Sequence, residues 1–411
     1  MQTNLSPEAK RLSRADEAEA ILRSCVHCGF CNATCPTYQL LGNELDGPRG
    51  RIYLIKQLLE GAAVTEKTQL HLDRCLSCRN CETTCPSGVK YHTLLDIGRA
   101  EVEHRVARPI KDRMMRGGLR KLVPRPRLFA TVLKAGRVLK PLLPNAVAHK
   151  IPVSPMKARA RPPARHTRRV LLLEGCVQSS LSPNTNAAAA RILDKLGISV
   201  TTVRQAGCCG ATDYHLGAHE AGLNRARRNI DAWWPAIESG AEAIVISASG
   251  CGAFIKEYRM LLEHDPSYAK KAERVTDLAR DLVEVLADEP LDVLAVQRKS
   301  TPHRVAFHCP CTLQHAQKLG GAVEGLLRSL GFDLTTVNDS HLCCGSAGTY
   351  SITQPVLANK LRDNKLDALE AGNPDVIVTA NIGCQSHLNA AGRKPVQHWI
   401  ELVEAALSGD D

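Results

Sequence analysis

The chain has 411 residues and a mass of 44.7 kDa, room for two to four domains at roughly 100–200 residues each. Aromatic residues at 4% argue against a stacking platform for single-stranded nucleic acid. The 17 cysteines are too sparse for a secreted disulfide scaffold, and no apolar run reaches the ~18 residues of a membrane-spanning helix. The net charge of +11 is concentrated: residues 105–169 hold 19 Lys/Arg and one acid, Asp112, for +18, which leaves −7 on the rest. The polar N-terminal stretch MQTNLSPEAKRLSRADEAEA has no secretory h-region, so a reducing cytoplasm is expected, where clustered cysteines hold metal.

The first region holds two cysteine blocks. One is Cys25-x2-Cys28-x2-Cys31-x3-Cys35-Pro36, and the other is Cys75-x2-Cys78-x2-Cys81-x3-Cys85-Pro86, every position offset by 50. Three thiolates in a tight loop can take three corners of a cubane, while the Cys before Pro crosses to the other cluster. That rule assigns Cys25, Cys28, Cys31 and Cys85 to one [4Fe–4S] cluster and Cys75, Cys78, Cys81 and Cys35 to a second. Zinc sites use separated ligand pairs and do not fit a four-Cys run that occurs twice. Between the blocks, Ile52, Ile55, Leu58 and Leu59 have helical spacing, so small helices are expected around a ferredoxin core.

The basic strip follows, with nine of the 22 prolines. Apolar residues are interleaved in it: Leu119, Leu122, Val123, Leu128, Phe129, Val132, Leu133, Leu139, Leu142 and Leu143. A basic amphipathic segment suits an anionic membrane surface or an acidic partner, or it links domains. No nucleic-acid-binding module accompanies it, and no nucleic-acid partner is expected.

Residues 170–411 form an internal repeat. In the first half, strand candidates Val170–Leu173, Ser199–Val203 and Ala243–Ser247 precede Cys176, Cys208-Cys209-Gly210 and Cys251. In the second, Val305–Phe307, Leu334–Val337 and Asp375–Thr379 precede Cys309 and Cys311, Cys343-Cys344-Gly345 and Cys384. Cys176 to Cys208 and Cys311 to Cys343 each span 32 residues; Cys209 to Cys251 spans 42 and Cys344 to Cys384 spans 40. Helical stretches lie between the strands, at Pro183–Leu196 and Leu313–Leu330, and each half ends in a helix, Thr276–Ala287 or Val396–Leu407. The expected fold class is mixed α/β: a helical double-cluster ferredoxin domain, then two repeated α/β lobes with parallel sheets. Expected boundaries are 1–104 for the ferredoxin domain, 105–169 for the linker or docking segment, 170–290 for the first lobe and 300–411 for the second. Gly210 and Gly345 would allow the turn that presents vicinal thiols at the carboxyl ends of the strands. His308, His315, His341 and His387 lie near the second set of cysteines in sequence.

The CCG repeats resemble the cysteine-rich domains of heterodisulfide reductases. With HCGFCNATCPTY, DGPRGRIYLIKQLLEG, DRCLSCRNCETTCPSGV and HLCCGSAGTYS, nearly the whole chain resembles the iron–sulfur subunits of bacterial glycolate oxidases. The resemblance implies an oxidoreductase complex in which this chain is the non-catalytic electron-transfer subunit. Two partner subunits would carry flavin and oxidise glycolate to glyoxylate; a quinone or other respiratory acceptor would take the electrons. The chain itself has no nucleotide fingerprint, so flavin is expected on the partners only. Location on the inner face of the cell membrane is expected. The fullest form of the cysteine-rich motif has a C-x2-C pair, but Ala248 and Asn381 stand at its first position here. Cys176, Cys208, Cys209, Cys251, Cys309, Cys311, Cys343, Cys344 and Cys384 could therefore hold one or two further clusters, act as redox thiols, or be structural. Alternative functions are the equivalent subunit for lactate or glycerol-3-phosphate, or a CCG-type thiol–disulfide reductase.

Overall fold

The computed structural model describes residues 1–142, 151–152, 155, 157–296 and 304–409. They divide into two compact units, 1–116 with 341–365, and 117–340 with 366–409.

The first unit is helical. Its principal helices are Ala15–Ser24, Pro48–Leu59, Glu66–Asp73 and Tyr91–Arg105. Each buries an apolar face at 3.6-residue spacing: Ala15, Ala18, Ile21 and Leu22 on the first, Ile52, Ile55, Leu58 and Leu59 on the second. Pro48 opens the second helix, where its missing N–H costs nothing. These faces meet Leu72, Leu94 and Leu95 in one core, and Cys25, Cys75 and Cys81 are part of it. The two cysteine loops are thus attached directly to the packed interior. The sequence-expected helix around Ile52–Leu59 is present and begins about one turn earlier, at Pro48.

The second unit contains two four-stranded parallel sheets. β1 (Arg168–Leu172), β2 (Ile198–Thr201), β3 (Ile244–Ile246) and β4 (Ala279–Asp281) stand in the order β2-β1-β3-β4. β5 (Arg304–His308), β6 (Asp333–Leu334), β7 (Val376–Thr379) and β8 (Val396–His398) repeat it as β6-β5-β7-β8. The sequence repeat is therefore a repeat of topology. The central strands are apolar on both faces, as parallel strands covered by helices must be. Helix Pro183–Lys195 of the first lobe packs on helix Trp399–Ser408 of the second, and helix Ala322–Ser329 packs reciprocally on Leu282–Ala287. One core runs through both lobes, with Ala188, Ile192, Val245, Leu286, Leu327, Val378 and Trp399 in it.

Three expected elements differ. The stretch Leu313–Leu330 is not one helix: a wide helical turn, Thr312–Ala316, is followed by a break and then Ala322–Ser329. Lys318 and Gly321 have positive φ there, which a continuous helix cannot accommodate. The terminal helices expected at Thr276–Ala287 and Val396–Leu407 each contain a three-residue edge strand, β4 and β8. Pairing of Ile244–Ile246 with Ala279–Asp281, and of Ile377–Thr379 with Val396–His398, overrides helix periodicity. The chain re-enters helix through side-chain caps. Asp281 accepts from Val283 N at 3.2 Å while Glu284 accepts from Asp281 N at 2.7 Å.

Candidate metal centres

The first cysteine block begins where helix Ala15–Ser24 ends. Cys25 is extended, His27 and Gly29 have positive φ, and a short helical turn, Phe30–Ala33, leads to Cys35 at the start of helix Pro36–Leu41. The second block repeats this backbone. Cys75 follows helix Glu66–Asp73, Ser77 and Arg79 have positive φ, and the turn Asn80–Thr83 leads to Cys85. The 50-residue offset in sequence is thus an offset in conformation, with 27 matching 77 and 29 matching 79. The blocks are also joined: Asn80 Nδ2 donates to Thr34 O at 2.9 Å, and the Thr84 hydroxyl donates to that of Thr34 at 3.2 Å.

Two cavities lie against these loops. One is lined by Cys25, Cys28, Cys31, Cys81 and Cys85. The other is lined by Cys35, Cys75, Cys78 and Cys81. Electrostatics group the thiols in the same way. Burial pushes Cys31 up to about 11, reinforced by Cys25, Cys28 and Cys85. Burial pushes Cys81 well above the ordinary thiol range, reinforced by Cys78, Cys75, Glu82 and Cys35. Four soft donors converging on each cavity fit an iron–sulfur cluster, because binding metal removes the protons that burial otherwise retains. Hydrogen bonds reach the sulfurs: Tyr91 OH donates to Cys75 Sγ at 3.4 Å, as does Ser77 N.

The cavities differ in access. Cys28 is exposed and Cys31 and Cys85 are partly so, whereas Cys35, Cys75, Cys78 and Cys81 are all buried. Val26 is 67% and Phe30 61% exposed beside Cys28.

Sequence reasoning missed a buried polar group at the second cavity. Arg51 lines it and is fully buried, and Asp46 is equally so. Asp46 Oδ1 lies 2.9 Å from His71 Nδ1, and its Oδ2 accepts from Arg74 at 3.0 Å. The Thr37 hydroxyl donates to Asp46 O at 2.8 Å and lies 3.3 Å from Cys35 Sγ. A signal was present: Arg51 falls on the face of Ile55, Leu58 and Leu59, where a surface arginine does not belong.

In the first lobe Cys176 follows β1, Cys208 and Cys209 follow β2, and Cys251 sits in helix Ser249–Lys256 after β3. All four lie beyond the carboxyl ends of the strands, around the β1/β3 switch point where open α/β sheets bind ligands. Their thiols are linked from Cys176 to Cys208, to Cys209 and to Cys251; sharing with Cys176 and Cys209 holds Cys208 well below the usual thiol range while both neighbours are pushed up. Tyr258 OH donates to Cys209 O at 2.6 Å, and Asn229 Nδ2 to Cys208 O at 3.0 Å. Gly210 has φ +107°, and a Cβ there would stand 2.5 Å from Gly222 O; Gly345, φ +87°, would likewise meet Ala358 O at 2.6 Å.

The second set draws its residues from both units. Cys309 and Cys311 after β5 and Cys384 in helix Ile382–Asn389 belong to the second unit, with buried His308, His315 and His387. Cys343 and Cys344 belong to the first unit, as does His341, whose carbonyl accepts from Asn80. Ala248 and Asn381 are both N-cap residues of the helices that carry Cys251 and Cys384. Asn381 accepts from Gly383 N at 2.8 Å and donates to Ser249 Oγ at 3.0 Å, so it serves as a helix cap and a lobe–lobe contact.

Comparison with known proteins covers the same regions. Residues 21–89 match a 4Fe–4S dicluster domain, and residues 170–256 and 305–389 each match a cysteine-rich domain. The chain is 66% identical over 407 residues to the glycolate oxidase iron–sulfur subunit of Escherichia coli (strain K12), covering 99% of each chain. It is 33% identical to the probable glycolate oxidase iron–sulfur subunit of Bacillus subtilis (strain 168), over 90% of this chain and 88% of that one. A lactate utilization protein A from Exiguobacterium sp. is 28% identical, over 58% of this chain and 95% of its own length. Doubled cysteine blocks on a helical core, two cysteine-rich lobes of one topology, and identity along the full length agree: the chain belongs to the family of glycolate oxidase iron–sulfur subunits.

Proposed function

We propose that this chain is the electron-transfer subunit of a glycolate-oxidising complex. It receives reducing equivalents from flavin on two partner subunits and delivers them to a respiratory acceptor such as a quinone. The observation that carries this reading is the pair of cavities, one lined by Cys25, Cys28 and Cys31 with Cys81 and Cys85, the other by Cys75, Cys78 and Cys81 with Cys35. Cys25, Cys28, Cys31 and Cys85 would hold one [4Fe–4S] cluster, and Cys35, Cys75, Cys78 and Cys81 the other. Bound, such clusters supply reversible one-electron acceptance. The chain's own part is to fix the thiols, exclude water from the buried set, and offer the exposed Cys28 side, with its apolar Val26 and Phe30, to a redox partner. Cys176, Cys208, Cys209 and Cys251 form a four-thiol set suited to a further cluster.

Peripheral attachment to the cytoplasmic face of an anionic membrane fits the basic strip. Among the described residues no helix is long and apolar enough to cross a membrane. Helices Ile110–Leu122 and Pro126–Leu139 bury no residue, and Ile110, Met114, Val138 and Leu142 are exposed among their basic neighbours. Leu143 lies outside the described residues.

The test is anaerobic purification with the partner subunits, with iron and acid-labile sulfide measured per chain and paramagnetic resonance of the reduced sample. About eight irons support two cubanes, and about twelve add a cluster in the first lobe. Fewer than about four, with tightly bound zinc, would overturn the reading.

A further inference from the structure

Arg51 stands in an unusual electrostatic position. Its side chain is 1% exposed, and it lines the same cavity as Cys35, Cys75, Cys78 and Cys81. Its Nε donates to His71 O at 2.7 Å and one terminal nitrogen donates to Thr37 Oγ1 at 3.1 Å. Both acceptors are neutral. The nearest carboxylate oxygen, Asp46 Oδ1, is 3.8 Å away, beyond hydrogen-bond reach. Asp46 is committed elsewhere, to His71 at 2.9 Å and Arg74 at 3.0 Å. Two guanidinium groups therefore share one carboxylate; Arg74 is 27% exposed, whereas Arg51 is buried and its charge is only partly balanced by Asp46. A buried charge that is only partly balanced is costly.

We infer that Arg51 is the built-in counter-ion of the cluster held by Cys35, Cys75, Cys78 and Cys81, and that its charge raises that cluster's reduction potential. The inference rests on the cluster assignment above. A cubane with four thiolate ligands is anionic when oxidised and gains one further negative charge when it accepts an electron. A fixed cation in a low-dielectric site stabilises the more negative state more strongly, so the potential rises. Burial alone acts in the opposite sense, by withholding solvent from the added charge. Arg51 thus offsets the burial of this set, an adjustment the exposed Cys28 set does not require.

The experiment is potentiometric titration, monitored by paramagnetic resonance, of the complete complex carrying Arg51→Gln, Arg51→Lys or Asp46→Asn, with iron counted in each. Arg51→Gln is expected to lower the midpoint potential of one cluster and leave the other unchanged. Arg51→Lys, which keeps the charge but not the planar fork, should stay near wild type. Asp46→Asn removes the opposing negative charge and should shift the same cluster upward. If Arg51→Gln assembles without iron at that site, Arg51→Lys decides: a loaded cluster at the wild-type potential supports the inference, and a downward shift overturns it. Full iron with unmoved potentials in Arg51→Gln and Asp46→Asn, or an equal downward shift in Arg51→Lys, also overturns it by reducing Arg51 to a structural tie. Wild-type complex without iron would overturn the cluster assignment and this inference together, and is distinguished by the iron count.

Discussion

Asn80 donates from Nδ2 to the carbonyl of Thr34 at 2.9 Å, across 46 residues of chain. Thr34 is the neighbour of Cys35, and Asn80 is the neighbour of Cys81. The bond fastens the end of one cysteine block onto the loop of the other, which is what exchange of their fourth thiols requires.

Cys35→Ser tests that exchange. The substitution lies in the first block, yet it should perturb the cluster built on Cys75, Cys78 and Cys81 and spare the one on Cys25, Cys28 and Cys31. Resonance spectra of the reduced variant, recorded beside Cys85→Ser, give the answer. An unchanged signal from the Cys75 cluster in Cys35→Ser would refute crossed ligation.

Asp281 makes stability depend on pH. Burial pushes its carboxyl up from 3.8 to about 7. Folded protein then binds the proton more tightly than unfolded protein. The stability this contributes is fully present below pH 3.8 and is lost as pH rises through about 7. Asp281→Asn keeps an acceptor for Val283 N but cannot ionise. Its urea midpoint relative to wild type should therefore climb from about pH 4 to about pH 7 and level off above that. A difference that stays constant with pH would show that Asp281 does not titrate in this range.

Gly210→Ala should destabilise the first lobe. The left-handed backbone at φ +107° costs a non-glycine residue about 1–3 kcal/mol, and the added Cβ would also strike Gly222 O. The measurement is the denaturation midpoint, with iron in the N-terminal clusters as an internal control. A midpoint equal to wild type would remove the close approach from the account.

Val138→Glu together with Leu139→Glu should weaken sedimentation with phosphatidylserine vesicles several-fold and leave the iron content unchanged. Both side chains are exposed in helix Pro126–Leu139. Raising salt should weaken the wild type as well, because the basic part of the attraction is screened. Undiminished sedimentation of the variant would exclude this helix as the membrane contact.

Cysteine spacing carried much of this protein's description. The 50-residue offset and the Cys-Pro ends pointed to two clusters and to their crossed ligands, because a cubane demands three thiols in one tight loop. Repeated spacings of 32 and 40–42 residues led to two lobes of one topology, since a βαβ unit has a nearly constant length of chain. The edge strands β4 and β8 were not visible. Three residues are too few for a period, and only pairing with β3 and β7 makes them strands. The break at Lys318–Gly321 was hidden for a similar reason: the apolar spacing runs on through it, and only the backbone angles interrupt the helix.

Residue types and spacing by themselves determined the metal chemistry, the repeat and the absence of a nucleotide fingerprint, because soft-ligand geometry and strand–helix alternation are written locally in the chain. Tertiary structure alone decided which of these features are buried and what neutralises them. It buried Arg51 beside a carboxylate, Asp46, that it shares with Arg74, left Cys28 at the surface, and brought Cys176, Cys208, Cys209 and Cys251 to the carboxyl ends of one sheet's strands. Charge balance and solvent access are sums over residues far apart in sequence, so no local pattern can specify them.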